Sequence, residues 1–255
     1  MSPEHEQSPD PAAAAPPPEW AQRRTAFGRQ ADAYASGRPG YPRAALEWVL
    51  PPGAAVVLDL AAGTGRLSEL LLDMGLDVLA VEPLDEMRAH VPARVNALAG
   101  TAEAIPLADC CVDAVVVGQA FHWFDVPRAM AEIRRVLRPG GTIGLLWNFL
   151  DDTEPWVDEL ARLVQAEERA SYLDATPPPP YADLPGLAAP VNRRFPHAER
   201  YDVDRLVAFA HSRSHTILLN EPDRLALVEQ VRALAPAGQF RLPLVCHVWR
   251  GEKAR

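Results

Sequence analysis

The chain has 255 residues, 48% of them hydrophobic and 23% charged, enough to bury one large core. No apolar run approaches the roughly 18 to 20 residues of a membrane-spanning helix, no basic region followed by an apolar one marks an export signal, and a net charge of -9 offers no general phosphate-binding surface. A cytoplasmic protein with neither membrane nor nucleic acid among its partners is expected, and Cys110, Cys111 and Cys246, an odd count without disulfide or zinc spacing, point to no metal site.

In chain order, residues 1–19 come first, a stretch of prolines among alanines that cannot build a core and is expected to be disordered. Short apolar runs at 55–60, 77–81, 95–99, 114–117 and 142–147 read as strands covered on both faces. Between them, 65–74 places Leu67, Leu70, Leu71 and Met74 on one face, and 127–137 does the same with Ala129, Ile133, Val136 and Leu137, so both read as amphipathic helices. Leu137-Arg138-Pro139-Gly140-Gly141 is expected to stop the second helix and turn into the next strand. A helix over 156–170 precedes a proline cluster, Pro177 to Pro180 with Pro185 and Pro190, that reads as loop or linker. Beyond it a strand is expected near 200–203, helices near 204–212 and 222–234, and a last strand at 244–249. No repeat is present, and the alternation is that of an α/β doubly wound, mostly parallel sheet.

The most informative stretch is Asp59-Leu60-Ala61-Ala62-Gly63-Thr64-Gly65, where a buried strand runs into a turn of small residues and then a helix. Backbone N–H groups at such a helix N-terminus are open to a ligand. Glu82 stands seventeen positions after Gly65, at the end of the second strand, where a carboxylate can accept two ribose hydroxyls. The pair suggests a nucleoside, although small residues can serve helix packing alone and a carboxylate can cap a helix. Ser68 occupies the place of the third glycine in the dinucleotide fingerprint G-x-G-x-x-G, and Asp59 can attract a cationic amino group, which a pyrophosphate ligand does not require. A nucleoside carrying methionine fits better than a dinucleotide.

These residues resemble the first motif of the class I S-adenosylmethionine-dependent methyltransferases, D/E-x-G-x-G-x-G, with Ala61 in place of the first glycine. The resemblance continues through Glu82, through Gly100 to Leu107, through Asp113 to Gln119, and through the turn at 137–141. A narrower likeness to the trans-aconitate methyltransferase group of small-molecule enzymes is carried by Gln119-Ala120-Phe121-His122-Trp123-Phe124-Asp125, Leu145 to Asn148, and Phe27-x6-Tyr34-x3-Arg38-Pro39-Gly40-Tyr41-Pro42. It implies a seven-stranded Rossmann-like sheet, a core over 20–149, a helical insertion or lid with substrate-side elements over 150–240, and a closing strand in 241–255. The donor would be S-adenosyl-L-methionine and the product S-adenosyl-L-homocysteine. Asp59, Ala61, Gly63, Thr64 and Gly65 would hold its methionine part, Glu82 its ribose, Thr101, Ala102 and Glu103 its adenine, and Gln119 the junction with the acceptor.

The acceptor side is less sharply marked. His122 follows the fourth strand and can orient an acceptor, remove its proton, or simply bond the loop backbone. Trp123 and Trp147, with Phe124, can wall an apolar pocket around a sulfonium or can be ordinary core. Tyr34, Arg38 and Tyr41 lie in the segment that the resemblance folds over the cofactor, where Arg38 can bind a carboxylate of cofactor or substrate. His211 and His215 have helical spacing but no third ligand for a metal and can instead face substrate, while Arg193, Arg194 and Arg200 read as solvated surface. The expectation is methyl transfer to an oxygen, ahead of nitrogen or carbon, of a small molecule. An NAD-dependent oxidoreductase and a non-catalytic nucleoside-binding relative are the alternatives, and nothing in the pattern sets an oligomeric state.

Overall fold

The computed structural model describes residues 37–164, 186–188, 190–213, 216 and 219–254. The expected disordered tail, Tyr34, the distal part of the 156–170 helix, the run Pro177 to Pro180 with Pro185, and His215 all lie outside the described residues. Seven strands make one sheet: β1 (Val56–Leu60), β2 (Asp77–Val81), β3 (Asn96–Leu98), β4 (Val112–Gly118), β5 (Leu137–Leu150), β6 (Val191–Tyr201) and β7 (Phe240–Glu252), in the order β3-β2-β1-β4-β5-β7-β6. The first five run parallel, and β7 enters antiparallel between β5 and β6, so the sheet is mixed and mostly parallel. Seven helices are described: α1 (Arg43–Val49), α2 (Arg66–Asp73), the single turn α3 (Asp85–Arg88), α4 (Val126–Val136), α5 (Pro155–Val164), α6 (Val203–His211) and α7 (Glu221–Leu234). None of the described helices is long and apolar enough to cross a membrane.

Period-two alternation divides the core. Leu58, Leu60, Val115 and Val117 face the layer of α4, where Ala129, Met130, Ile133 and Val136 are buried; Val57, Ala114 and Val116 face α1 and α2, through Ala45, Leu46, Leu67 and Leu71. Asp59 has the same parity as Val57 and therefore points toward α2. Short polar side chains start the later helices: Asp125, Asp202 and Asn220 each accept a backbone N–H of the first turn, at 3.4, 2.9 and 3.0 Å.

Three expectations need correction. The turn at 137–141 lies inside β5, where Gly140 takes φ 77° and the pairing with β4 shifts between Val112 and Ala114; the excess residues form an irregularity in the ladder instead of a separate loop. The strand expected near 200–203 is an eleven-residue strand ending at Tyr201, and Pro190 and the arginine cluster flank or belong to it. Val191–Tyr201 falls inside the 150–240 segment expected as a helical insertion, yet it pairs along its whole length with β7 and forms one margin of the core sheet. The helices of that segment, α5, α6 and α7, share a cluster around Val157, Leu160, Leu206, Phe209 and Val231 that also takes in Leu150, Tyr201, Leu242 and Leu244 of the sheet.

Asp113 fastens the amino end of this sheet. Its Oδ2 accepts the N–H groups of Ala55 and Val56, both at 2.9 Å, and Oδ1 accepts from Arg138 on β5. Desolvation pushes its carboxyl upward, but the two N–H groups and the guanidinium outweigh that and hold it below the usual carboxylate value. A lowered value in the folded state stabilises the fold above the unfolded pKa and ceases to do so as pH falls through the folded one. Asp113→Asn should therefore cost about 1–3 kcal/mol at neutral pH, measured by urea denaturation, with the gap from wild type closing in acid below the carboxylate range. A gap that is constant with pH would contradict this assignment.

Candidate functional site

The chain leaves β1 toward β2 on one side and reaches β4 on the other, so the carboxyl ends of β1 and β4 flank the point where strand order reverses. Ligands of open α/β sheets bind in that crevice. A pocket lies there. From the turn after β1 it is lined by Asp59, Ala61, Gly63 and Thr64; from the end of β4, by Gly118 and Gln119; and from the amino-terminal side, by Arg38, Pro39 and Tyr41. Arg66 and Leu67 of α2 complete the wall.

The turn has a demanding backbone. Ala61, Gly63 and Gly65 take φ of 56°, 57° and 83°, all left-handed. For Ala61 that conformation costs about 1–2 kcal/mol, the strain left by replacing the glycine of the motif. Gly65 has no such latitude, since a Cβ there would lie 2.7 Å from Pro92 Cδ and 3.1 Å from Val91 Cα. Glu82 holds the turn from the next strand: its Oε2 accepts the Gly63 N–H and its Oε1 the Leu84 N–H, both at 2.9 Å. Each carboxylate oxygen has lone-pair capacity for a further hydroxyl, so the bonds to the turn and a ribose-binding role are compatible.

Asp59 is 1% exposed and accepts the Ser68 hydroxyl at 2.6 Å. Burial raises its pKa, hydrogen bonds from Ser68 lower it, and the nearby Glu82 charge raises it again, leaving it at about 7. Ser68 occupies the position where a dinucleotide site has its third glycine, and its hydroxyl is committed to Asp59. Thr64 is 7% exposed, and its buried Oγ1 has no hydrogen-bond partner among the described residues. The pocket thus sets one buried carboxyl, Asp59, against an unpartnered hydroxyl, Thr64, and two guanidinium-bearing residues, Arg38 and Arg66, a surface of both polarities.

The other expected residues are placed less uniformly. Thr101 and Ala104 form an isolated bridge after β3, and Ala102 is buried in the core beneath it. The Glu103 carboxylate accepts the Asp125 N–H at 3.0 Å, tying this loop to the one after β4. Arg135 of α4 clamps the same loop from outside, donating to Ile105 O at 2.9 Å and Leu107 O at 2.7 Å, while Glu132 accepts the Ile105 N–H at 2.9 Å. Gln119 sits at φ 57° and donates Nε2 to Asn148 O at 3.3 Å. His122 and Trp123 occupy a 3-10 turn, Phe121–Trp123, with ring centroids 4.7 Å apart, next to the pocket wall but not in it. Trp147 is 2% exposed in the core cluster of the α4 layer and meets Trp249 edge-on at 5.3 Å, outside the lining of the pocket. His211 lies at the end of α6 with its Nε2 buried and without a hydrogen-bond partner among the described residues, and burial lowers its pKa. Among the described residues no group of three or more His, Cys, Asp and Glu side chains is arranged for a metal.

Arg66 was not singled out from sequence, although it follows the turn directly and lines the pocket. Ser68 was read only as a missing glycine, and its hydroxyl is the partner of Asp59.

A family model described as a methyltransferase domain matches residues 58–145. An uncharacterized methyltransferase of Mycobacterium tuberculosis is 42% identical over 231 residues, covering 86% of this chain and 92% of that protein. The malonyl-[acyl-carrier protein] O-methyltransferase of Methylococcus capsulatus is 41% identical over 104 residues, 37% of this chain and 38% of its own length. A solved structure from Anaeromyxobacter dehalogenans, assigned as a type II methyltransferase, superposes with a TM-score of 0.58 at 25% identity, covering 85% of this chain and 97% of that one.

Asp59 generates a prediction of definite sign. Its folded-state value lies above the unfolded one, near 3.9, so its contribution to stability is present below that value and is lost as pH rises to about 7. Asp59→Asn should flatten the pH dependence of Tm between about pH 4 and pH 7 and raise the Tm of the ligand-free protein above about pH 7, as read by scanning fluorimetry. A variant whose Tm falls in parallel with wild type over that range would contradict the burial argument.

Proposed function

This chain belongs to the class I S-adenosylmethionine-dependent methyltransferases, and from that premise we propose that it methylates an oxygen, ahead of nitrogen or carbon, of a small-molecule acceptor. The observation that carries the donor half is the pocket at the reversal point, with a buried acid, an unpartnered buried hydroxyl and a strained small-residue turn in one wall. When bound, S-adenosylmethionine supplies an electrophilic methyl group on a cationic sulfur. Asp59 takes the donor's ammonium; Thr64, the N–H groups around Gly63 and Gly65, and Arg38 take its carboxylate; Glu82 accepts the ribose hydroxyls. Thr101 to Glu103 flank the adenine, and Gln119 stands at the junction with the acceptor.

The oxygen preference draws on the O-methyltransferase relative and on the residues beside the pocket. An anionic oxygen acceptor needs no base at neutral pH, so catalysis then rests on aligning acceptor, methyl and sulfur and on excluding water. His122 orients the acceptor, or takes its proton where the acceptor is a hydroxyl. Trp123 offers it an apolar wall, and Tyr34 belongs to the same side through its place in the amino-terminal motif. The commitment of Ser68 to Asp59 weighs against the NAD-dependent alternative, because it fills the site of close helix–strand approach with a hydroxyl used on a carboxylate.

Isothermal titration with S-adenosylmethionine, S-adenosylhomocysteine and NADH tests the reading. Wild type should bind the two sulfur nucleosides and not NADH. Glu82→Ala should weaken both by about ten-fold or more, in line with hydrogen bonds to a charged group. Binding of NADH alone, or of none of the three, would overturn it; binding without turnover over a panel of carboxylic and phenolic acceptors would reduce the protein to a nucleoside-binding relative.

A further inference from the structure

Three side chains outside the pocket converge on the segment that forms one of its walls. Residues 38–42 belong to no helix or strand, yet Arg38, Pro39 and Tyr41 all line the pocket. A loop without a ladder of its own has its backbone groups satisfied from elsewhere, and those partners determine where it lies. The Tyr201 hydroxyl donates to Gly37 O at 2.7 Å, the Gly40 N–H donates to Glu199 Oε1 at 2.6 Å, and Asn148 Nδ2 donates to Gly40 O at 2.7 Å. Both backbone polar groups of Gly40 are thus taken by side chains of β5 and β6, and none of Asn148, Glu199 and Tyr201 lines the pocket.

The strap also has a fixed seat. A Cβ on Gly37 would lie 2.4 Å from Ala208 C and 2.5 Å from Phe209 N, so its backbone rests directly on α6, and Arg38 Nη2 donates to Ser212 O at the end of that helix at 2.7 Å. The three staples are themselves braced. Arg205 donates to Glu199 Oε2 at 2.6 Å and stacks over the Tyr201 ring with its guanidinium carbon 4.0 Å from the centroid, and His197 Nε2 lies 3.1 Å from Asn148 Oδ1.

We infer that Asn148, Glu199 and Tyr201 are positioning residues that hold the 37–41 strap against the donor pocket and thereby set donor affinity, without touching the donor. The inference rests on the donor assignment proposed above. Losing a staple lets the strap sample positions in which Arg38 and Tyr41 no longer face the pocket, and donor binding must then order them again. Each staple contributes a hydrogen bond of ordinary strength, so a single loss should weaken donor binding by roughly five-fold, and two together by roughly twenty-fold.

The experiment is titration of S-adenosylhomocysteine into wild type, Tyr201→Phe, Asn148→Ala, Glu199→Ala and Glu199→Gln, with Tm recorded for each. Tyr201→Phe keeps the ring, its packing and the arginine stack, and Glu199→Gln keeps an oxygen that can accept the Gly40 N–H. Val136→Ala, in the α4 layer and in a core cluster that holds neither the strap nor its staples, serves as a control that lowers Tm. The expected pattern is weaker binding in Tyr201→Phe, Asn148→Ala and Glu199→Ala, recovery in Glu199→Gln, and unchanged binding in Val136→Ala despite its lower Tm. Wild-type affinity in the first three variants, or affinity that merely follows Tm across the whole set, would overturn the inference while leaving the donor assignment standing. Failure of wild type to bind would overturn both.

Discussion

A carboxylate buried at the carboxyl end of β1 is the constraint around which the rest of the structure is arranged. Strand alternation turns Asp59 toward α2, away from water, where ionisation is costly. The chain answers with the Ser68 hydroxyl, and the remaining cost is what a cationic partner would relieve. The turn that follows stays tight because Glu82 holds Gly63 from the neighbouring strand and because Gly65 leaves no room beside Val91 and Pro92. Two acids and a strained turn thus form one unit at the pocket wall, and the proposed function assigns its missing counter-charge to the ammonium of the donor.

Topology positions the pocket. The five parallel strands bring the ends of β1 and β4 together, and this makes the crevice; β7 and β6 then extend the sheet and carry their side chains beneath the amino-terminal segment. The wall supplied by Arg38, Pro39 and Tyr41 is therefore held by residues more than a hundred positions later in the chain. Two of the three staples, Glu199 and Tyr201, stand on β6, and Asn148 stands on β5. That gives the antiparallel extension a use beyond covering apolar surface: it carries two of the side chains that the strap's backbone is bonded to.

How much was legible in the sequence follows from the range of the interactions involved. The strand, turn and helix around Asp59 and Gly65 are local, with an apolar run, a cluster of small residues and a helical period, so the element bounds and the turn were readable. The place of Glu82 at the end of β2, beside that turn, was readable because the separation within a βαβ unit is nearly fixed. β6 was not, because Val-Asn-Arg-Arg-Phe-Pro-His-Ala-Glu-Arg-Tyr is polar and contains Pro196; a marginal strand tolerates both, since one of its sides has no ladder to maintain. The packing of Trp147 against Trp249 was not readable either, because an aromatic near a strand end has the same sequence signature in a pocket wall and in a core. Of the residues bonded to the strap, Asn148 falls within a segment that carries the family resemblance, whereas Glu199 and Tyr201 carry no sequence signal, since their hydrogen bonds join residues whose proximity is created by the completed sheet.

The most direct test of the central claim is hydrogen exchange, residue by residue, with and without S-adenosylhomocysteine. Amides of the turn from Ala61 to Arg66 and of the strap from Gly37 to Tyr41, Pro39 aside, should slow together on addition of the nucleoside, while those of α7 keep their rates. Protection confined to some other region, or no change in either segment under conditions where the nucleoside is bound, would contradict the account.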